Sequence, residues 1–444
     1  MSAVPPKRRR RIQTTEQQVV IKSELDIFNP RPVQTAIADS YWVDVHPISA
    51  LSDDSPITFF ISGSEEDFLD PVVYLKIDCA VKTKDGQKLP ENIAVAPINL
   101  FGHSMFKRID VKIQDKVIST DNYPYRAYIE RMLNYGTDAK SSQLTTEGFY
   151  MDKAGAFDVL GDKGNGGFIK RRNAAKESKR MTFFVRLSTD IGNQPRLLPN
   201  NIDVTFTLHP SSNAFRLAFP RDVEAPTVDL TSLLLYVRRV KLSPPMATAI
   251  AETMRLKPAL YPINHVIVKT YQIPPGHPEI NRENLSVGTL PRAVVIGIVE
   301  SDAYVGTGAK SPFNFQQKGS TFISLYRDSE PIPSVAYTPR WAERDAVREY
   351  LSLFQVTSSF GANRGIGIDY DDYLSGGYAL YGFDLTPDES PAGMYGAGPR
   401  QGNLSLKMQF EVGNIDQTCT LIAFMVYDSV LYIDNNRNVI TDFT

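Results

Sequence analysis

Along most of this chain apolar positions alternate with polar ones at the period of a half-buried strand, and turn residues punctuate the runs. In the first half the pattern predicts strands at 41–45, 57–62, 72–81, 106–114, 117–119, 183–187, 202–208 and 230–242. One helical period interrupts it, over 123–136, where Tyr125, Tyr128, Ile129, Met132 and Leu133 share a face. Asn122 or Asp121 can cap that helix, Pro124 begins it and Gly136 ends it. The stretch 137–181 is polar and Gly-rich and reads as a long loop. At 246–256 helix formers follow a cap at Ser243 and a proline at Pro244, and Pro258 stops them, so a short helical linker divides the chain. Beyond it, strands are predicted at 265–273, 284–287, 293–299, 321–326, 332–335, 378–385, 404–412 and 418–433. A single helix at 339–355 lies among them, with Thr338 as cap and Val347, Tyr350, Leu351 and Phe354 on one face.

The two halves repeat each other in order and in local wording. PINLFGHSMFKRIDVKIQDKVI from Pro97 has its counterpart in PFNFQQKGSTFISLYRDSEPI from Pro312, and each precedes its half's helix. FFVRLSTD from Phe183 matches YALYGFDLTPD from Tyr378. A pair of copies is a duplicated domain and not an array. The expected fold is all-β: two consecutive eight-stranded antiparallel jelly-roll sandwiches, each with one accessory helix, joined by a short helical linker. The expected divisions are an N-terminal arm and lead-in at 1–38, a first sandwich at 39–242, the linker at 243–260, a second sandwich at 261–434 and a C-terminal tail at 435–444.

A chain of 444 residues exceeds what one hydrophobic core usually supports, which agrees with two domains. No apolar run reaches the length of a membrane-spanning helix. The two cysteines, Cys79 and Cys419, read as core residues of a chain in a reducing compartment. The net charge of −2 hides an asymmetry: Lys7, Arg8, Arg9, Arg10 and Arg11 supply +5, which leaves 43 basic residues against 50 acidic ones. A mildly acidic body argues against nucleic-acid binding as the main task and confines any such role to the arm. The arm can be a nuclear-import address, a sequence-independent phosphate contact or a solvated tail.

Candidate chemistry is sparse. The five histidines (His46, His103, His209, His265, His277) lack zinc-site spacing. Neither Gly161–Gly167 nor Gly306–Ser311 carries a phosphate-loop signature, and Phe106 replaces the second glycine of a nucleophile elbow around Ser104. Carboxylates cluster at Glu65, Glu66 and Asp67 and at Asp369, Asp371 and Asp372, which read as solvated loops. A glycan-active hydrolase using a pair such as Asp371 with Asp372 is the enzymatic alternative. No catalytic, cofactor-binding or metal-ligating set stands out.

Against this background several long segments resemble one known family. They are SELDIFNPRPVQTAI (from Ser23), YWVDVHPISALSDDSPITFFISGSEEDF (from Tyr41), NLFGHSMFKRIDVKI (from Asn99), NYPYRAYIERMLNYGTDAKSSQLT (from Asn122), LLYVRRVKLSP (from Leu235), SPFNF (from Ser311) and GGYALYGFDLTPD (from Gly376). The chain resembles the double jelly-roll major capsid (hexon-type) proteins of Polinton/Maverick elements and adintoviruses, together with their copies in animal genomes. The resemblance implies a structural protein without a catalytic site or cofactor. Three chains would form a pseudo-hexameric capsomer that tiles an icosahedral shell alongside a penton-like minor capsid protein. It further implies a virion location with assembly in the host nucleus, the loops 137–181 and 386–402 as outward or inter-subunit elements, and an arm at Lys7–Arg11 facing packaged double-stranded DNA or directing import. A domesticated cellular binding protein of the same fold is the remaining alternative. Residues 374–377 (Leu-Ser-Gly-Gly) fit the loose pattern cut by adenovirus-type capsid proteases.

Overall fold

The alternating runs pair into four sheets of four principal strands in the computed structural model, which describes residues 23–25, 27, 33–51, 54–392, 398 and 400–443. In the first half these are β1 (Ile37–Val45), β2 (Ile57–Ile61), β3 (Tyr74–Lys82), β4 (Phe106–Ile113), β5 (Lys116–Asp121), β6 (Met181–Arg186), β7 (Val204–Pro210) and β8 (Thr227–Leu242). They form sheets of order β1-β8-β3-β6 and β2-β7-β4-β5. The second half supplies β9 (Ala259–Ile273), β10 (Glu279–Thr289), β11 (Ala293–Glu300), β12 (Ser320–Arg327), β13 (Glu330–Tyr337), β14 (Leu380–Asp384), β15 (Gln401–Phe410) and β16 (Cys419–Ile433). Their order is β9-β16-β11-β14 and β10-β15-β12-β13. Counted within each half, both read first-eighth-third-sixth against second-seventh-fourth-fifth, with antiparallel pairing throughout. That is a jelly roll twice over, as the sequence predicts.

Face alternation explains most of the core. On β3, Leu75, Ile77, Cys79 and Val81 point inward while Tyr74, Lys76 and Lys82 stay partly exposed. Strand β11 breaks the rule, because AVVIGIVE is buried at every position. Val294, Ile296 and Ile298 fill the second sandwich, whereas Ala293, Val295 and Val299 belong to a cluster shared with the first. A strand covered on both faces reads as a continuous apolar run.

Helices fill the connections. The first accessory helix, α1 (Tyr123–Asn134), starts after Asn122, which sits in the left-handed region at φ 51° and does not cap with its side chain. Its amide instead donates to the Val268 carbonyl and accepts from the Tyr304 hydroxyl, both in the other half. The stretch 137–181 is not a bare loop. It contains α2 (Gly166–Ala175), capped by the Asn165 side chain, and buries Phe149, Phe157 and Phe168. Those anchors are too widely spaced to show a period. The linker helix α3 (Pro244–Leu256) begins after Ser243 as expected, although that hydroxyl makes no cap bond.

The second accessory helix differs from expectation. It is α4 (Val347–Gln355), shorter than 339–355, because Arg344 adopts φ 56° and a turn closes between Arg340 and Asp345 first. Its buried side is Glu349, Ser352 and Leu353, with Val347 outside and Tyr350, Leu351 and Phe354 half-buried. Ser352 Oγ accepts from the Gly382 amide, which turns this face toward β14. A further short helix, α5 (Tyr370–Ser375), lies between α4 and β14. The segment read as a C-terminal tail contributes a strand, Val439–Thr441, to the edge of β16.

Candidate functional site

The most heavily built region of the molecule is the seam between the two sandwiches. Helix α1 places Tyr125 and Tyr128 against the second half, where Tyr128 stacks on Phe313 at a centroid distance of 4.2 Å. Tyr125 stacks on Tyr304 and meets Phe315 edge-on. Phe313 and Phe315 come from the SPFNF segment and are fully buried. Gly297 on β11 has room for no side chain, since a Cβ there would lie 2.5 Å from the Phe315 ring.

Beside this aromatic plug runs a chain of buried charges. Asp190 accepts from Arg126 Nη1 at 2.6 Å, and lies 2.6 Å from His265 Nδ1 across the seam. Arg126 also reaches Glu130 at 3.0 Å. One turn further along α1, Arg131 donates to Glu147 at 2.8 Å and to Ser188 Oγ at 2.7 Å. His103 completes this second set, with Tyr123 Oη 2.7 Å from Nδ1 and Glu147 3.1 Å from Nε2. Burial alone would raise the carboxyls of Asp190 and Glu147. Arg126 with His265, and His103 with Arg131, more than offset it and hold both below the usual carboxylate range. Burial pushes the His103 imidazole below its usual range, with Glu147 acting against that shift. Lys140 is a third element: its ammonium donates to the carbonyls of Met132 and Ile366, the latter from the second half, and burial lowers its pKa to about 7.

These groups are spent on each other. The His103–Glu147–Arg131 set is buried and holds helix α1 in place, with Arg131 reaching the wall of the neighbouring cleft. A cleft of about 990 Å³ opens beside the seam, lined among others by Glu130, Arg186, Arg292, Arg364 and Asp428. Arg292 is engaged by Asp428 at 2.6 Å, and Arg364 by the Asn134 carbonyl.

The residues singled out from sequence fall elsewhere. Lys7, Arg8, Arg9, Arg10 and Arg11 lie outside the described residues. Asp369 caps α5, Asp371 pairs with Arg344 at 2.5 Å, and Asp372 donates its amide to Asp369, so this cluster is a helix start. In the other cluster, Asp67 accepts from Tyr41 and Ser64 while Glu66 pairs with Lys241. His209 sits 2.8 Å from Asp110. Cys79 and Cys419 are both buried thiols. The Gly161–Gly167 stretch runs into the start of α2, and Gly376 and Gly377 of the protease-like pattern are bonded to Gly155 and Phe315. Among the described residues no group of three or more His, Cys, Asp or Glu is placed to hold a metal, and no helix is long and apolar enough to cross a membrane. The seam itself escaped sequence reasoning. The available signal was two arginines, Arg126 and Arg131, set among the apolar positions of an otherwise amphipathic helix.

No family model matches the chain. An uncharacterized protein of Caenorhabditis elegans, F54H12.2, is 25% identical over 425 residues, covering 92% of this chain and 98% of that protein. Solved structures share the fold over nearly the full length. A chain of the Sputnik virophage superposes with a TM-score of 0.65 at 13% identity, covering 97% of this chain and 93% of that one. The PBCV-1 virus capsid gives 0.61 at 11% identity, covering 94% and 99%. The mavirus major capsid protein gives 0.56 at 11% identity, covering 100% and 97%. The fold is the double jelly roll.

Proposed function

We propose that this chain is a major capsid protein, a structural subunit that trimerises into a pseudo-hexameric capsomer and tiles an icosahedral shell. The observation that carries this reading is the pair of equivalent sandwiches fused side by side through a buried seam. Three such pairs present six similar blocks around an axis, and cyclic association buries complementary surfaces. The capsid proteins among the structural neighbours have the same fold, and the internal charges are consumed in packing, which favours an assembly role over an enzymatic one. In this reading the working units are 39–242 and 261–434, joined by 243–260. The Polinton and adintovirus assignment rests on the sequence resemblance. A penton-like protein and packaged double-stranded DNA are its further partners, with Lys7–Arg11 as DNA contact or nuclear-import signal. The virion, and the host nucleus during assembly, are its locations.

The test is the solution mass of the full-length protein followed by particle images. Three copies of the 49.6 kDa chain, about 149 kDa, with pseudo-hexagonal outlines are expected. A monomer at every concentration overturns the reading. Neutralising Lys7–Arg11 should reduce nuclear entry or DNA retention and leave that mass unchanged. The nematode relative supports a second reading, a domesticated cellular protein of the same fold. Neighbouring genes for an integrase, a packaging ATPase and a penton-like protein would argue against it.

A further inference from the structure

The first sandwich has two ends of opposite character, set apart by the length of β8. The last residue of that strand, Leu242, pairs with Ile37 at the start of β1, so the lead-in from the N-terminal arm enters there. Its first residue, Thr227, pairs with Lys82 at the close of β3, roughly 50 Å away at the rise of an extended strand. The stretch that runs into β6 lies toward this far end, because Met181 pairs with Cys79.

The far end concentrates positive charge on an otherwise acidic body. Residues 161–180 hold seven Lys and Arg against two carboxylates, Asp162 and Glu177, a net +5, whereas the chain without its arm has 43 basic residues against 50 acidic ones. Four of these cations are internal ties. Arg171 is buried on Asp152 at 2.8 Å, Arg172 takes Asp162, Lys176 takes Glu91 and Arg180 takes Asp78. The other three, Lys163, Lys170 and Lys179, are exposed and have no ion-pair partner among the described residues. Lys88 and Lys153 join them in the same state. The Leu89 amide donates to Ser178 Oγ at 2.9 Å and the Lys153 amide to Asn165 Oδ1 at 3.2 Å, which fixes both lysines beside α2. The helix in turn is anchored by Arg171 on the Pro97 carbonyl. Phe149, Phe157 and Phe168, the rings of this region, are buried beneath it.

We propose that this end, around Lys88, Lys153, Lys163, Lys170 and Lys179, binds a sulfated polysaccharide. Ammonium groups on flexible stems meet sulfates as hydrated point charges and need no fixed fork geometry. A nucleic-acid site would add exposed rings for base stacking or free arginine forks for base edges. Here the rings are inside and the arginines of the stretch are paired. The binding itself does not depend on the capsid reading. Its use does rest on that reading: in a shell whose arms face inward this end points outward, and the site attaches the particle to a glycan-coated surface.

A basic arm attracts any polyanion, so the experiment uses the full-length chain with Lys7–Arg11 changed to alanine. Its binding to immobilised heparin is measured across a salt series, beside the same chain carrying Lys88→Ala, Lys163→Ala, Lys170→Ala and Lys179→Ala. The four side chains are exposed and outside the ion pairs, so the melting profile should persist. The arm-neutral chain should bind heparin, and the fourfold variant at least about 10-fold more weakly with a flatter salt dependence, since fewer counterions are released. Duplex DNA of matched charge should compete less well than free heparin. An arm-neutral chain that does not bind, or a folded variant that binds equally well, overturns the assignment. Competition by DNA equal to that of heparin overturns the choice of ligand and gives the surface to nucleic acid. Should the fourfold variant misfold, Lys163→Glu alone decides: unchanged heparin binding refutes the site, and weakened binding supports it. Light scattering on the same samples keeps the outcome apart from the capsid reading, which stands or falls with the trimer.

Discussion

Replacing Asp190 by alanine should uncouple the two sandwiches. The carboxylate is buried and serves Arg126 of the first half and, on the other side, His265 and the Val266 amide of the second. Its removal leaves the fully buried Arg126 guanidinium with Glu130 at 3.0 Å and Thr120 at 3.3 Å as remaining partners. Breaking a buried pair from one side costs about 3–5 kcal/mol, because the other charge stays behind uncompensated. For units of roughly 200 residues that corresponds to a fall in Tm of about 6–20 °C. The bond spans the seam, so the loss should concentrate on docking, and scanning calorimetry should resolve two transitions where wild type gives one. Glu343→Ala provides the control: its pair with Arg340 is exposed on both sides, and such pairs contribute about 0–1 kcal/mol. If Asp190→Ala melts in one transition within a degree or two of wild type, the network does not join the halves.

Three further outcomes follow from the same region. Tyr128→Phe should change stability by less than about 1 kcal/mol, since its buried hydroxyl has no hydrogen-bond partner among the described residues, whereas Tyr128→Ala removes the ring stacked on Phe313 and should cost about 3–5 kcal/mol. Lys140 has a folded pKa of about 7, below its unfolded value, so the unfolded chain binds more protons between those two points. Chemical denaturation from pH 7 to 9 should therefore show a stabilising slope of up to about 1.4 kcal/mol per pH unit that Lys140→Met abolishes; an unchanged slope would sink the assignment. Asp190 and Glu147 have depressed folded values, so their contribution is present above the unfolded carboxylate pKa of about 4 and is lost as pH falls further. Acid titration of the melting temperature should drop more steeply below that point in wild type than in Asp190→Asn.

What the sequence determined alone was the local part. Period-two alternation encodes which side of a strand is dry, and the repeat of that pattern around a proline-capped helix is enough to specify two antiparallel sandwiches. Helix limits were less legible where backbone geometry overrode propensity, as at Arg344, whose left-handed turn ends the helical reading of 339–346. The tertiary structure alone decided how the halves meet. Asp190 and His265 are 75 residues apart, and neither carries a local pattern that announces the other. The run 293–299 was legible as a strand, but its burial on both faces depends on what the other half of the chain places against it. Phe183-Phe184 likewise broke the alternation without saying that one ring enters the core and the other faces outward. Such differences are invisible in one dimension because burial on the outer face of a sheet depends on what another part of the chain, or another chain, places against it.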